Sequence, residues 1–121
     1  MPDPTLDPGA LGVLLETVGD DREFLGELIE TYLSDCPGLF AQLRDRLAAR
    51  DAPGVRRAAH TLKSTSATFG AMRLAGMARE IEPAAADEDL TEADSRIDSA
   101  QAEFDLVRGP LQATVDAGVP S

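Results

Sequence analysis

Residues 24–47 read FLGELIETYLSDCPGLFAQLRDRL. Apolar side chains return there every three or four residues, at Phe24, Leu25, Leu28, Ile29, Tyr32, Leu33, Cys36, Leu39, Phe40, Leu43 and Leu47. That is the period of one helical face, not the alternation of a strand. The helix is expected to begin near Asp20 or Asp21, whose carboxylates suit its positive end, and to run to about Arg50. Arg44, Arg46 and Arg50 then oppose its negative end. Pro37 falls in the middle and is expected to bend the helix or split it into two pieces.

The same period recurs on both sides. Asp7 and Pro8 suit the cap and first position of a short helix through Leu11, Leu14 and Leu15 to about Thr17, closed by Gly19. A third helix is expected from about Pro53 to Gly70, and a fourth from about Ala71 through Met72, Leu74, Ala75, Ala78 and Ile81, ended or kinked by Pro83. After an acidic loop at Asp87, Glu88 and Asp89, a last helix carries Leu90, Ala93, Ile97, Ala100, Phe104, Val107, Leu111 and Val115 as a bundle seam. Gly109-Pro110 is expected to kink it, and the tail from Gly118 to be loose. With β-branched residues sparse, the chain reads as all-α: an antiparallel up-down-up-down four-helix bundle with a short N-terminal helix capping one end. Its 121 residues fit a single domain spanning 1–121, with an ordered core of about 5–116.

Composition excludes several functions. One cysteine and one histidine allow neither an intramolecular disulfide nor a zinc site, so no metal is expected and Cys36 reads as a small buried apolar residue. No basic leader or membrane-length apolar run is present, which suggests a cytoplasmic protein. A net charge of −11 argues against nucleic acid and anionic membranes as partners. No G-x-x-x-x-G-K-[ST] loop accompanies Gly12 or Gly19, so the chain is not expected to bind ATP or to act as a kinase on its own.

The charge is unevenly spread. From Ala52 to Arg79 there is no acid, while Arg56, Arg57, Lys63, Arg73 and Arg79 give +5; all 22 acids lie outside. The only histidine, His60, and the only lysine, Lys63, fall within this window at a spacing that places them on one helical face. Winding the third helix gathers Val55, Ala58, Ala59, Leu62, Ser66 and Phe69 on one side, with His60 about 150° from their centre and facing solvent. Arg56, Arg57, Ser64 and Ala67 share the outer face, and the small residues at 64 and 67 leave room for a partner to close over the ring. A neutral imidazole is a nucleophile that needs little activation. Lysine is also informative by type, because a compact ammonium meets a phosphoryl oxygen as a point charge.

The segment Ala58-Ala-His-Thr-Leu-Lys-Ser-Thr-Ser-Ala-Thr-Phe-Gly-Ala71 resembles the core of histidine-containing phosphotransfer (HPt) domains of bacterial phosphorelays, A-H-x-L-K-G-S-x-x-x-x-G-A. The likeness extends to the opening Gly19 to Gly26, to the proline inside the long helix and to Leu74–Glu82. It implies a helical bundle in which His60 accepts a phosphoryl group from a receiver-domain aspartate, or from a partner kinase, and passes it to another receiver. Lys63 would balance the phosphoryl charge. Ser64 replaces the family's usual glycine and is able to hydrogen-bond the imidazole or phosphoryl group. Glu82 matches an acid or amide that in some members accepts a hydrogen bond from the histidine Nδ1, although Pro83 biases it away from helical geometry. The resemblance further implies receiver domains or a hybrid sensor histidine kinase as partners, docking over Arg56, Arg57 and Ala67, with Mg²⁺ carried by the receiver and no cofactor of the chain's own.

A monomer is expected, and Met1 with the loose tail favours a free-standing protein. The alternative is a non-catalytic bundle that docks a receiver or another acidic partner through the same face. A sensor-kinase dimerisation domain fits less well, since that class usually has an acid where Thr61 follows the histidine. A hydrolase lacks a second histidine or a convergent carboxylate pair.

Overall fold

The structure is a computed structural model that describes residues 6–7, 9–86 and 90–117. Within them lie five helices and no strand: α1 (Ala10–Thr17), α2 (Arg22–Ala48), α3 (Ala52–Thr68), α4 (Met72–Ala84) and α5 (Thr91–Asp116). Pro8, the 87–89 loop, the 118–121 tail and the outer limit of the core at residue 5 lie outside the described residues.

Local chemistry sets the starts of α2 and α3 and the end of α3. Asp21 and Asp51 cap α2 and α3, their carboxylates accepting from the amides of Phe24 and Gly54, both at 3.0 Å. Gly70, at φ +81°, closes α3 by letting its own amide reach the Ala67 carbonyl at 3.0 Å and the Ala71 amide reach Ser66 at 2.8 Å. This satisfies carbonyls that a helix end leaves orphaned. α1 starts at Ala10, later than the cap at Asp7 and Pro8 implies. Asp7, still exposed, instead accepts from the Gly9 amide at 3.0 Å and donates its own amide to the Gly70 carbonyl at 2.7 Å.

The prolines break less than expected. α2 runs through Pro37, α5 through Gly109-Pro110, and α4 continues one residue past Pro83. All three prolines are exposed, while Cys36, Phe40, Val107, Leu111, Ile81 and Ala84 beside them are buried. One lost ladder bond costs about 3 kcal/mol. Burying the stripes on both sides, at roughly 1.5–3 kcal/mol per large side chain, outweighs it.

α2 packs on α3 and α5, α4 packs on the same two helices, and α1 lies against α2. The stripes meet in one core around Phe40, Leu43, Leu62, Leu74, Ile81, Ile97 and Leu111. Phe24 departs from the expected stripe and is 44% exposed. At 100° per residue it lies about 130° from the centre of the buried positions of α2, so only its hydrophobicity, not its phase, placed it there.

Candidate functional site

α3 carries the site because its two faces differ so sharply. Val55, Ala58, Ala59, Leu62 and Ser66 are buried, and Phe69 is buried just beyond the helix. The opposite face holds His60, whose side chain is 64% exposed, with Arg56, Arg57, Thr61 and Ser64 also exposed and Lys63 and Ala67 half-buried. The outward histidine is therefore a consequence of helical phase.

Across from it, α4 supplies Glu82. Its Oε1 lies 3.8 Å from His60 Nδ1, its side chain is 25% exposed, and that oxygen has no hydrogen-bond partner. The separation is longer than a hydrogen bond. Glu82 is helical despite preceding Pro83, which corrects the expected bias, because buried Ile81, Ala84 and Ala85 hold this last turn against the core. Arg56, Arg57, His60, Thr61 and Glu82 together line a depression of about 410 Å³. Lys63, Ser64 and Ala67 do not line it, and among the described residues Ser64 makes no hydrogen bond to the imidazole. Neither arginine, nor Lys63, takes part in an ion pair among the described residues. The three cations thus remain available to an incoming anion.

Two features escaped the sequence reading. Thr61 belongs to the histidine's depression, its hydroxyl turned back to the Arg57 carbonyl at 3.1 Å. Beneath α3, Tyr32 and the fully buried Ser66 share a 2.8 Å hydrogen bond, and the Tyr32 ring stacks on Phe69 at 4.8 Å. A serine and a tyrosine lying in two facing apolar stripes are the available signal, since buried polar groups need partners. Burial pushes the Tyr32 hydroxyl well above its ordinary range and the Cys36 thiol up to about 11. Cys36 is buried and free, as expected. Among the described residues no group of three histidine, cysteine or acidic side chains is placed to hold a metal, and no helix is long and apolar enough to cross a membrane.

A family model described as Hpt domain matches residues 27–116. The chain belongs to the Hpt domain family. Among solved Hpt structures, histidine-containing phosphotransfer protein B from Pseudomonas aeruginosa PAO1 is 30% identical, with a TM-score of 0.84 over 96% of this chain and 98% of that one. The Hpt domain of a sensor hybrid histidine kinase from Shewanella is 17% identical, with a TM-score of 0.69 over 93% of this chain and 95% of that one, a likeness of fold alone. No curated protein sequence matches. Membership in the Hpt family supports a role in histidine phosphotransfer within a phosphorelay.

Proposed function

We propose that His60 is the phosphoacceptor of a phosphorelay intermediate, and that the observation supporting this most is its exposure in a basic depression with Nδ1 turned to Glu82. Closure of the 3.8 Å gap on docking brings Glu82 within hydrogen-bond reach of the Nδ1 proton, which fixes the tautomer that leaves Nε2 free to attack. The Nε2 lone pair attacks the phosphorus of a receiver's aspartyl phosphate, a nitrogen–phosphorus bond forms, and the aspartate leaves as carboxylate. Return of the phosphoryl group to a second receiver reverses the step. Lys63, Arg56 and Arg57 stabilise the charge spread over the phosphoryl oxygens, and Ser64 offers a hydroxyl to them. Mg²⁺ belongs to the receiver.

Connections of three residues, 49–51 and 69–71, join α2 to α3 and α3 to α4, and each joined pair packs together. We therefore read α2–α5 as an antiparallel up-down-up-down bundle, with α1 capping the Gly70 end. The working form is a cytoplasmic monomer whose partners are receiver domains, alone or within a hybrid sensor kinase. Relay requires release, so the interface should lie near the low end of about 1,200 Å².

The test is to offer the protein a phosphorylated receiver. An acid-labile, alkali-stable label that is absent from His60→Gln is expected. A label that persists in that variant overturns the assignment, and binding without any label favours the non-catalytic module.

A further inference from the structure

Beside the histidine's depression runs a second hollow, a groove of about 520 Å³ between α2 and α3. Its floor is apolar, formed by buried Tyr32 and Phe69 and half-buried Leu28 and Leu39, and its rim carries exposed Asp35 and Thr61. Thr61 lines both hollows, so whatever fills the groove lies next to His60. Leu28 and Leu39 are three helical turns apart, about 16 Å along α2. That length suits an amphipathic partner helix of similar extent laying one apolar stripe between them.

The two walls differ in charge. Asp35 stands on the α2 wall with no ion-pair partner among the described residues, while the α3 wall leads through Thr61 to Arg57 and the acid-free face. A helix whose apolar stripe is bordered by acids on both sides would place an acid against Asp35, and like charges at that distance are repulsive.

We propose that Asp35 is a partner-selecting residue: the groove takes a receiver helix bearing an apolar stripe with a lysine or arginine on the edge that meets Asp35. This rests on the phosphotransfer reading for the identity of the partner as a receiver, and it adds which receivers are accepted. Asp35 lies in the hollow beside the depression rather than in it, so it governs docking and not the chemical step.

The experiment takes a panel of purified receiver domains from the source genome and selects the one that binds the full chain most tightly by calorimetry. Dissociation constants are then measured for Asp35→Lys, Leu39→Arg and Glu30→Lys; Glu30 is an exposed acid on α2 roughly 140° around the helix from Asp35. Circular dichroism checks that each variant is folded. Asp35→Lys and Leu39→Arg should each weaken binding at least tenfold and Glu30→Lys less than twofold, and an acidic substitution of the receiver's facing cation should restore binding to Asp35→Lys. Equal losses in Asp35→Lys and Glu30→Lys, or no rescue by the charge-reversed receiver, overturn the proposal. Loading of the chain by phosphoramidate, a small donor that needs no groove, separates the two readings. Groove variants that label normally while failing to bind support the proposal. Failure of wild type to label at all overturns the acceptor role of His60, while the binding constants still decide the role of Asp35.

Discussion

Replacing Gly70 by alanine should be among the most damaging single changes away from the hydrophobic core. Its φ of +81° disfavours any side chain, and a Cβ there would lie 2.7 Å from the Ala10 Cβ and 2.9 Å from the Asp7 carbonyl oxygen. The left-handed conformation costs alanine about 1 kcal/mol or slightly more. Carbon contacts settle at about 3.5–4.0 Å, so α1 must also retreat by roughly 1 Å. That retreat stretches the 2.7 Å bond from the Asp7 amide to the Gly70 carbonyl and loosens Leu11 and Leu15, which are 8% and 7% exposed. The bond contributes about 1 kcal/mol and partial exposure of two leucines a comparable amount. A total of about 2–4 kcal/mol follows, which for a chain of this length lowers Tm by roughly 8–16 °C. Thermal and urea melts followed by helical circular dichroism measure it. Gly70→Asn relieves part of the backbone cost but keeps the Cβ, so it should recover at most about 1 kcal/mol. A loss below about 1 kcal/mol in Gly70→Ala, or full recovery in Gly70→Asn, would refute the seating of α1 on this turn.

Glu103 is 4% exposed, its Oε2 has no partner, and the facing Arg73, 51% exposed, comes no nearer than 3.7 Å. Glu103→Met should therefore stabilise the fold by about 1 kcal/mol in urea melts, because the arginine it abandons can return to water; a loss of stability would mean the carboxylate supports the start of α4. Tyr32→Phe strands the Ser66 hydroxyl and should cost about 1–2 kcal/mol, whereas Tyr32→Phe with Ser66→Ala should cost less than the sum of the two single changes, as a double-mutant cycle would read. Burial raises the Cys36 thiol from 9.0 to about 11 in the folded state. The unfolded thiol ionises first as pH rises, so stability present below pH 9 declines from about 9 to 11. Cys36→Ala should make that decline shallower, and an unchanged slope would assign it to other groups.

The ends of the helices were legible where one side chain or one glycine decides them. Asp21, Gly19 and Gly70 were all readable, because a cap is a bond between neighbours in sequence; Asp51 caps α3 by the same rule, but the expected start at Pro53 misses it. The end of α2 was less so. Arg50 adopts φ +56° and lets the Asp51 amide reach the Arg46 carbonyl at 2.9 Å, a turn usually given to glycine. The expected helix therefore ran to Arg50, beyond its last helical residue, Ala48. The prolines were misjudged for a related reason. The local rule weighs one lost hydrogen bond, whereas the buried residues flanking Pro37 and Pro110 answer to helices distant in sequence.

The site divides along the same line. That His60 points outward follows from the phase of α3 alone, but its approach to Glu82 depends on which flank of α4 faces α3. Ile81 is fully buried and marks the inner line of α4, with Glu80 and Glu82 about 100° to either side. The two glutamates therefore face different neighbours. Glu80 meets Arg96 of α5 at 2.6 Å, and Glu82 meets His60 of α3 at 3.8 Å. Exchanging the neighbours of α4 while keeping every apolar stripe in place would turn Glu80 toward the histidine and Glu82 toward Arg96. Helical period cannot distinguish those arrangements. The three-residue turn at Gly70 helps to do so, since it leaves α3 and α4 adjacent and brings the carboxylate opposite the imidazole onto the flank that carries Glu82.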